Sequence, residues 1–336
     1  MNILITGAFG FVGSNLSKFL HTTGKNQLTA LDINEITGHS YSSFFTWDQL
    51  EDISWDTIDT IIHLAGKAHD TKNTSEEQVY FDINLGLTQK IFEYFLSSNA
   101  TKFIYFSSVK AVADSVKGDK LTEDIEPSPG TPYGRSKLEA EKYLTTRLRD
   151  YTTTRRHDDK AIRECEGEIE RRGDRDKKLY ILRPAMIHGP GNKGNLNLLY
   201  KLVSKGIPWP LGAYENKRSF TSIDNLAYVV QQLIEKDIEP GIYNMADDNP
   251  IATNRLIELI ASSKKKSARM WKISKNLIHV GAKVGGKLHL PLNPERLKKL
   301  TESYVASNNK LKKALGIEKM PVSAEEGMKR TLESFQ

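Results

Sequence analysis

Met1-Asn2-Ile3-Leu4-Ile5-Thr6-Gly7-Ala8-Phe9-Gly10-Phe11-Val12-Gly13 is the stretch of this chain that most directly predicts a fold. Its first six residues form an apolar run, which is typical of a buried parallel strand. Glycines then recur at every third position, and residues 11–20 follow with one apolar helical face. Glycines let the backbone approach a pyrophosphate, and a helix N-terminus offers free N–H groups and a positive dipole. Strand, glycines and helix in this order predict a dinucleotide-binding loop, although the spacing differs by one residue from G-x-G-x-x-G.

Asp32 indicates which dinucleotide is bound. It ends the second apolar run, Leu28–Leu31. A carboxylate there can accept hydrogen bonds from both ribose hydroxyls, and it repels a 2′-phosphate. NAD is therefore expected rather than NADP. The alternative is a loop aspartate that touches no cofactor.

The segment Tyr133-Gly134-Arg135-Ser136-Lys137, with Ser107-Ser108 upstream, indicates the chemistry. A phenol has a pKa of about 10 and is a poor base at neutral pH. Lys137 follows Tyr133 by one helical turn, so its ammonium, together with the nearby nicotinamide cation, is expected to lower that pKa and let the phenol take a proton. We therefore assign Tyr133 as general acid and base, Lys137 as its electrostatic partner and ribose anchor, and Ser108 as the group that orients the substrate. A lone Tyr-x-x-x-Lys is usually a helix surface pair, but here a glycine loop and two serines precede it.

Strand-like runs alternate with helical runs through the first half of the chain. This alternation predicts an α/β fold, a Rossmann-like doubly wound parallel sheet covered by helices. We expect residues 1–183 to form an NAD-binding domain, and residues 184–336 to form mainly a smaller C-terminal substrate-binding lobe, with some segments returning to the first domain. The predicted strands are Asn2–Thr6, Leu28–Leu31, Thr60–Leu64, Lys102–Ser107 and Leu179–Arg183.

Residues 145–178 differ from their surroundings because they are mostly charged and contain few apolar side chains. We interpret them as an exposed insertion, part loop and part helix around Ala161–Arg172. A solvated appendage is the favoured interpretation, and an oligomer contact, such as that of a homodimer, is the alternative.

Three later helices are predicted, at Asn225–Glu235, Thr253–Ser262 and Ala324–Phe335. The last of them has Ser323 as its N-cap and Glu326 three residues further on, which is a capping-box pattern. Met270–Val284 carries a helical apolar stripe. Such a stripe more often packs in a core than lies on a membrane.

Composition narrows the class of protein. The chain has 336 residues and a mean hydropathy of −0.48, and it contains no apolar run long enough to span a bilayer. It starts directly on a strand, so we expect no signal peptide. Cys165 is its single cysteine, which excludes an internal disulfide and a multi-cysteine metal site. We expect a cytoplasmic protein with no integral membrane segment and no bound metal.

The net charge of +6 is unevenly distributed. Six basic residues precede any Asp or Glu from Lys264 onward: Lys264, Lys265, Lys266, Arg269, Lys272 and Lys275. The favoured interpretation is a solvated face, and the alternative is attraction to an anionic substrate or a membrane surface. Nucleic acid is not expected as a partner, because no nucleic-acid-binding motif accompanies the charge.

Over nearly its whole length, except residues 145–178, the chain resembles the extended short-chain dehydrogenase/reductase family, and within it the NAD-dependent nucleotide-sugar epimerases and reductases. The resemblance rests on the glycine loop, Asp32, His63-Leu64-Ala65-Gly66, Asn84, Ser107-Ser108, Pro132–Lys137, Arg183-Pro184, Gly189-Pro190-Gly191, and Arg218 through Asp224-Asn225-Leu226-Ala227.

This resemblance implies a UDP-hexose or UDP-N-acetylhexosamine substrate, oxidised at C4 by bound NAD, in cell-surface polysaccharide biosynthesis. The implied cofactor-binding residues are Gly7, Phe9, Gly10, Phe11, Val12, Gly13, Asp32, Ile33, Asn34, Asp48, Leu64, Ala65, Gly66, Asn84, Ser107, Tyr133, Lys137, Pro184 and Ile187. The implied contacts to the nucleoside-diphosphate sugar come from Lys67, Ser108, Met186, Asn195, Arg218 and Arg296.

Departures from the family pattern narrow the reaction. In the sugar 4,6-dehydratases two acids follow the catalytic hydroxyl, whereas this chain has Val109 and Lys110, so a dehydratase is disfavoured. A 4-epimerase that keeps its NAD is preferred. A 4-keto-sugar reductase is the first alternative, disfavoured by Asp32 because reductases usually use NADPH. A non-catalytic NAD-binding protein is the second alternative, but it would be expected to lack Tyr133 or Lys137.

Overall fold

The computed structural model describes residues 1–67, 76–166, 176–192, 194–287 and 293–335, with only the backbone described for residues 156–166, 195, 285 and 287. Three short 3₁₀ turns and one π-helical turn, Asp82–Gly86, supplement the regular elements. In chain order these elements are β1 (Asn2–Thr6), α1 (Phe11–Thr22), β2 (Gln27–Leu31), β3 (Ser43–Phe45), β4 (Thr60–His63), α2 (Glu77–Phe81), α3 (Leu87–Ser97), β5 (Lys102–Phe106), α4 (Pro132–Glu166), β6 (Lys178–Pro184), β7 (Met186–His188), α5 (Asn195–Ser204), β8 (Lys217–Arg218), β9 (Phe220–Ser222), α6 (Ile223–Glu235), β10 (Gly241–Met245), β11 (Ile251–Ala252), α7 (Thr253–Ser263), α8 (Lys275–Lys287), α9 (Pro294–Thr301), α10 (Asn309–Leu315) and α11 (Ala324–Glu333).

Seven strands form the central sheet in the order β10-β6-β5-β4-β1-β2-β3. The pairs from β3 across to β6 are parallel, and Ile3 lies beside Leu28 on one side and Thr60 on the other. Ile3, Leu4 and Ile5 are fully buried, which explains why β1 is an unbroken apolar run. The predicted Rossmann-like parallel sheet and its five predicted strands are confirmed.

The sheet grows in both directions from β1, and this creates the ligand-binding edge. The chain adds β2 and β3 on one side of β1 and then returns to add β4, β5 and β6 on the other. Ligands of such sheets bind at the carboxyl ends of the strands where this reversal occurs. The glycine loop follows β1 there, and Leu64-Ala65-Gly66 follows β4.

The described chain divides into two compact units. The first comprises Met1–Asp114, Glu123–Pro184 and Ala227–Asn244, and the second comprises Ser115–Thr122, Ala185–Leu226 and Met245–Gln336. Each has its own apolar core: residues such as Leu4, Ile61, Phe92 and Phe103 in the first, and Leu196, Trp209, Ile257 and Met328 in the second. Two small sheets, β7 with β9 and β8 with β11, belong to the second unit.

Helix α4 is longer than the sequence predicts. It runs unbroken from Pro132 to Glu166, so the helical part of residues 145–178 begins well before the predicted Ala161. Leu148 and Tyr151 continue the stripe of the buried Leu144 and pack against the core of the first unit. Arg147 also pairs with Glu93 of α3, at 2.7 Å. Residues 167–175, which include the end of the predicted Ala161–Arg172 helix, lie outside the described residues.

The three predicted late helices are present as α6, α7 and α11, and Ser323 caps α11 by accepting from the Glu326 N–H at 3.3 Å. The Met270–Val284 stripe differs from its prediction, because α8 begins only at Lys275 and exposes part of its apolar surface. Within the described residues, no helix combines the length and apolar character needed to cross a bilayer.

Candidate active site

The glycine loop has the backbone geometry that a pyrophosphate requires. Gly7 has φ +67°, and a Cβ on it would lie 2.8 Å from the backbone nitrogen of Ala65. A Cβ on Gly13 would lie 2.5 Å from the carbonyl oxygens of both Gly7 and Ala8. Gly10 stands at the N-cap of α1 and has no side chain to occupy the first N–H groups of that helix. The residues present therefore fit a dinucleotide, with the loop around its phosphates.

The Asp32 carboxylate also shapes this loop. Its Oδ2 accepts from the Phe9 N–H at 2.8 Å, and its Oδ1 accepts from the Ile33 N–H at 2.7 Å. Tyr41, which sequence reasoning missed, donates from its hydroxyl to the carbonyl of Ala8 at 3.0 Å. Asp32 is thus fixed at the end of β2, where a ribose would lie. Tyr41 lies in the connection between β2 and β3, and no sequence motif there indicates that its hydroxyl would bind the glycine loop.

The remaining cofactor candidates near this edge are more exposed. Ile33 and Asn34 follow Asp32 and face solvent. Asp48 follows β3, is exposed, and accepts a hydrogen bond from the Thr46 hydroxyl, which lowers the pKa of its carboxyl. Phe11 and Val12 open α1.

Replacing Asp32 with alanine is expected to weaken NAD binding by about ten- to a hundredfold, because charge-assisted hydrogen bonds to the ribose are lost. The preference for NAD over NADP should narrow, since the repulsion of a 2′-phosphate disappears. Titrating both cofactors measures this, with the exposed Asp52→Ala as control. An unchanged NAD/NADP ratio would mean that Asp32 only holds the Phe9 and Ile33 amides.

Lys137 is buried on α4, beside the carboxyl end of β5. It is 5 % exposed, its Nζ donates to the Phe106 carbonyl at 2.9 Å, and it lies 4.9 Å from the Tyr105 ring centre. Burial lowers the pKa of Lys137 to about 8, and the nearby Glu141 carboxylate opposes that shift. A Cβ on Gly66 would lie 3.1 Å from the Lys137 Nζ, so a glycine at this position leaves enough space for the ammonium.

Asn84 joins the loop after β4 to helix α4. It is fully buried on the π-helical turn, where its Oδ1 accepts from the Lys67 N–H at 2.8 Å. Its Nδ2 donates to the Ser136 hydroxyl at 2.9 Å. The structure therefore brings Gly66, Lys67, Asn84 and Lys137 together, although they come from three separate stretches of sequence.

Tyr133 and Ser108, which the sequence predicts to be catalytic, contact each other. Ser108 is 8 % exposed, its Oγ accepts from the Lys110 N–H at 3.2 Å, and it hydrogen-bonds Tyr133. Burial raises the pKa of Tyr133, and the Ser108 hydrogen bond opposes this only in part. In the protein without cofactor, burial outweighs any lowering of this pKa, and the Lys137 ammonium donates to the Phe106 carbonyl. The expected lowering by Lys137 together with a nicotinamide cation stays a prediction for the NAD complex.

A buried ion pair supports this site, and sequence reasoning missed it. Glu141 and Arg183 are each 3 % exposed in their side chains and pair at 2.5 Å. Ser107, expected to contact the cofactor, donates its hydroxyl to Glu141. Glu141 follows Lys137 by four residues, so helical spacing could have signalled that the two side chains share a face.

His63 is a second buried group that the sequence analysis did not assign. Its Nδ1 lies 2.7 Å from Thr6 Oγ1, and its Nε2 lies 2.9 Å from Thr88 Oγ1. Burial lowers the pKa of His63 to about 3, and the charge of Lys137 adds to the shift. The imidazole is therefore neutral and holds β1, β4 and α3 together.

His63 should make the protein acid-sensitive. Its folded pKa lies below the unfolded value of about 6.5, so its contribution to stability is complete above that value and is lost as the pH falls towards about 3. We expect the free energy of unfolding to fall by about 2 kcal/mol between pH 7 and pH 5. Urea unfolding across this range tests it. His63→Gln should reduce the dependence of the unfolding free energy on pH, whereas the exposed His279→Gln should not. An equal pH dependence in the wild type and both variants would contradict the role given to His63.

The other substrate and cofactor candidates lie in or beside the second unit. Pro184 ends β6, whereas Met186 and Ile187 lie on β7, and Met186 is exposed. Asn195 begins α5, and its side chain lies outside the described part. Arg296 is exposed on α9, the same helix as Lys299, whose carbonyl Arg218 contacts.

Arg218 on β8 donates from its guanidinium to the carbonyl of Lys299 on α9. Burial lowers the pKa of Arg218, and the Glu302 carboxylate opposes this. Asp224, six residues further on, pairs with Arg330 at 3.3 Å instead. Arg218 is thus held by a backbone carbonyl rather than by a carboxylate.

A dinucleotide-binding sheet with a serine–tyrosine–lysine cluster at its carboxyl edge defines an enzyme that transfers a hydride and a proton at a carbon bearing a hydroxyl. The chain belongs to the NAD dependent epimerase/dehydratase family, whose model matches residues 3–246. The predicted family and the predicted cofactor, NAD, are thereby confirmed.

Relatives agree with the predicted enzyme class, an NAD-dependent sugar-nucleotide epimerase, and confirm it. A UDP-glucose 4-epimerase of Vibrio cholerae is 26% identical, and the match covers 99% of this chain and 95% of that protein. An N-acetylglucosaminyl-diphospho-undecaprenol 4-epimerase of Escherichia coli O157:H7 is 25% identical over 79% of this chain and 73% of its own length. The crystal structure of a Thermotoga maritima UDP-glucose 4-epimerase with UDP-glucose has the same fold, with a TM-score of 0.72, 22% identity and coverage of 100% and 98% of the two chains.

Proposed function

We propose that this protein is a 4-epimerase of nucleoside-diphosphate sugars, with UDP-hexose or UDP-N-acetylhexosamine as substrate. The observation that carries the proposal is the contact between the buried Ser108 and the partly buried Tyr133, with the buried Lys137 one helical turn further on. The full-length match to the Vibrio cholerae 4-epimerase supports the same activity. Cell-surface polysaccharide biosynthesis is the proposed pathway class and the cytoplasm the proposed compartment.

In this proposal Tyr133 moves the proton of the sugar C4 hydroxyl. Bound NAD supplies the acceptor and donor of the hydride. The Ser108 hydroxyl, which already hydrogen-bonds Tyr133, holds the substrate oxygen in line with the phenol. The Lys137 ammonium favours the phenolate through its charge, and Gly66 leaves the space in which it can also reach a ribose hydroxyl.

Two family reactions are disfavoured by particular residues. A 4,6-dehydratase needs an acid and a base next to the serine, but Val109 is buried and the Lys110 ammonium donates to the Asp114 carbonyl at 2.8 Å. A 4-keto-sugar reductase that consumes NADPH is disfavoured by Asp32, whose carboxylate would meet the 2′-phosphate. A homodimer stays a prediction.

The activity is tested by incubating the purified protein with UDP-glucose or UDP-N-acetylglucosamine and no added reduced cofactor. We expect the C4 epimer to form, up to an equilibrium mixture, with no net change in NADH absorbance. A third arm with a polyprenyl-diphosphate N-acetylglucosamine covers the substrate class of the Escherichia coli relative. Turnover only of 4-keto sugars, with stoichiometric use of NADPH, would establish the reductase instead.

Arg218→Ala is expected to raise the KM for the nucleotide sugar by about ten- to a hundredfold, because an arginine–phosphate pair contributes about 1.5–3 kcal/mol. Cofactor affinity should stay unchanged. The exposed neighbour Lys217→Ala is the control. Measuring the melting temperature and KM on the same preparation separates binding from structure: a lower melting temperature with an unchanged KM would leave Arg218 only the role of bracing Lys299.

A further inference from the structure

Residues 264–287 of the second unit combine positive charge with exposed apolar surface. The segment contains seven lysines and Arg269 and has no Asp or Glu. Exposed lysines alone would indicate only a solvated face. The position of the apolar side chains within the same segment is what requires another explanation.

Helix α8 has two apolar stripes on different faces. Ile278 and Ala282, four residues apart, are buried in the core of the second unit. Leu277, Val280 and Val284, spaced by three and four residues, form a second stripe and are 63%, 57% and 49% exposed. The core therefore accounts for the first stripe only, and the second is presented to solvent.

Trp271 adds a large exposed side chain just before α8. Its N–H donates to the Trp209 carbonyl at 2.8 Å, and its carbonyl accepts from the Gly212 N–H at 3.1 Å. The backbone is thus fixed while the side chain is 57% exposed. Tryptophan is enriched at membrane–water interfaces, where its ring lies at the level of the head groups.

A cavity of about 480 Å³ lies at the start of the same segment. Its cationic lining is Lys205, Lys266 and Arg269, and its apolar lining includes Val203, Ile207 and Ile257. Cations beside an apolar wall match the two parts of a phospholipid, a phosphate and the first methylene groups of its chains.

We propose that residues 264–287, together with this cavity, form a peripheral membrane-docking surface for bilayers that contain anionic phospholipid. Charge complementarity selects this occupant. A second copy of the chain, docked by the same face about a two-fold axis, would bring two acid-free basic segments together, which is repulsive. An anionic bilayer instead attracts every basic residue and buries the Leu277–Val284 stripe and Trp271 in its interface.

The test is sedimentation of the full-length protein with vesicles, without turnover. Vesicles of phosphatidylcholine with about a third phosphatidylglycerol should bind the protein at least tenfold more tightly than phosphatidylcholine alone, and added salt should weaken the binding. Tryptophan fluorescence should shift to the blue on binding, and Trp271→Phe should remove most of that shift.

Two variants measure separately the contributions of the basic residues and of the exposed apolar stripe to membrane binding. Lys272→Gln with Lys283→Gln should weaken binding about 25-fold, at roughly fivefold per basic residue. Leu277→Gln with Val280→Thr and Val284→Thr should weaken it about tenfold or more. The matched controls, Lys18→Gln with Lys25→Gln and the exposed Leu198→Gln, should bind like the wild type.

Wild-type binding by both surface variants would overturn the proposal. The proposal would also be overturned if the protein did not bind vesicles but self-associated in sedimentation velocity, and if the variant at Leu277, Val280 and Val284 lost that self-association. The face would then be a contact between two copies of the chain. Melting temperatures exclude misfolding. Epimerase assays on soluble nucleotide sugars should be unchanged in every variant, so the outcome is independent of the proposed activity.

Discussion

Tyr133→Phe is expected to lower kcat by about 10²–10⁴ while leaving NAD affinity within about twofold of the wild type. The hydroxyl moves the proton, whereas the glycine loop and Asp32 hold the cofactor from other strands. The phenylalanine keeps the ring packing against Tyr80, whose centre lies 6.4 Å away, so the melting temperature should not change.

The measurement is steady-state epimerisation together with a cofactor titration. Tyr151→Phe, on the same helix, is the matched control and should retain full activity. Because burial raises the pKa of Tyr133, wild-type kcat should rise with pH on the alkaline side of neutrality, as more phenolate becomes available. Wild-type turnover in Tyr133→Phe would remove this residue from the mechanism.

Glu141→Gln is expected to lower the free energy of unfolding by about 3–5 kcal/mol, because it leaves the buried Arg183 guanidinium without its counter-charge. It also removes the carboxylate that keeps the Lys137 pKa from falling further. A smaller fraction of Lys137 should then be charged at neutral pH, so activity should fall along with stability.

Urea unfolding of Glu141→Gln and Glu93→Gln compares a buried pair with an exposed one in the same unit. Glu93 pairs with Arg147 at 2.7 Å, but both side chains are at least 40% exposed, so Glu93→Gln should cost less than about 1 kcal/mol. Adding Arg183→Met to Glu141→Gln should restore much of the lost stability, because no buried charge then lacks a partner. Equal losses in the two single variants would show that Glu141 is not desolvated in solution.

The structure also limits what helical spacing alone can reveal. Lys137 and Glu141 are one turn apart on α4, yet the partners that define their roles, Phe106 and Arg183, come from β5 and β6. Likewise, Leu277 and Ile278 are adjacent in sequence, but only Ile278 is covered by the core. The sequence pattern shows that both side chains are apolar, but it does not indicate which of them the neighbouring elements leave exposed to solvent.

Contiguous residues were enough to predict the parallel sheet, the dinucleotide loop, NAD and the epimerase family: an apolar strand, glycines before a helix, and Tyr133 with Lys137 one turn apart. The electrostatics of the site could be read only from the folded protein. The pKa of Tyr133 rises, that of Lys137 falls to about 8, and that of His63 falls to about 3, since burial by residues distant in sequence removes the water that stabilises their charged forms. Desolvation is set by everything packed around a group, and no local pattern in the chain encodes it.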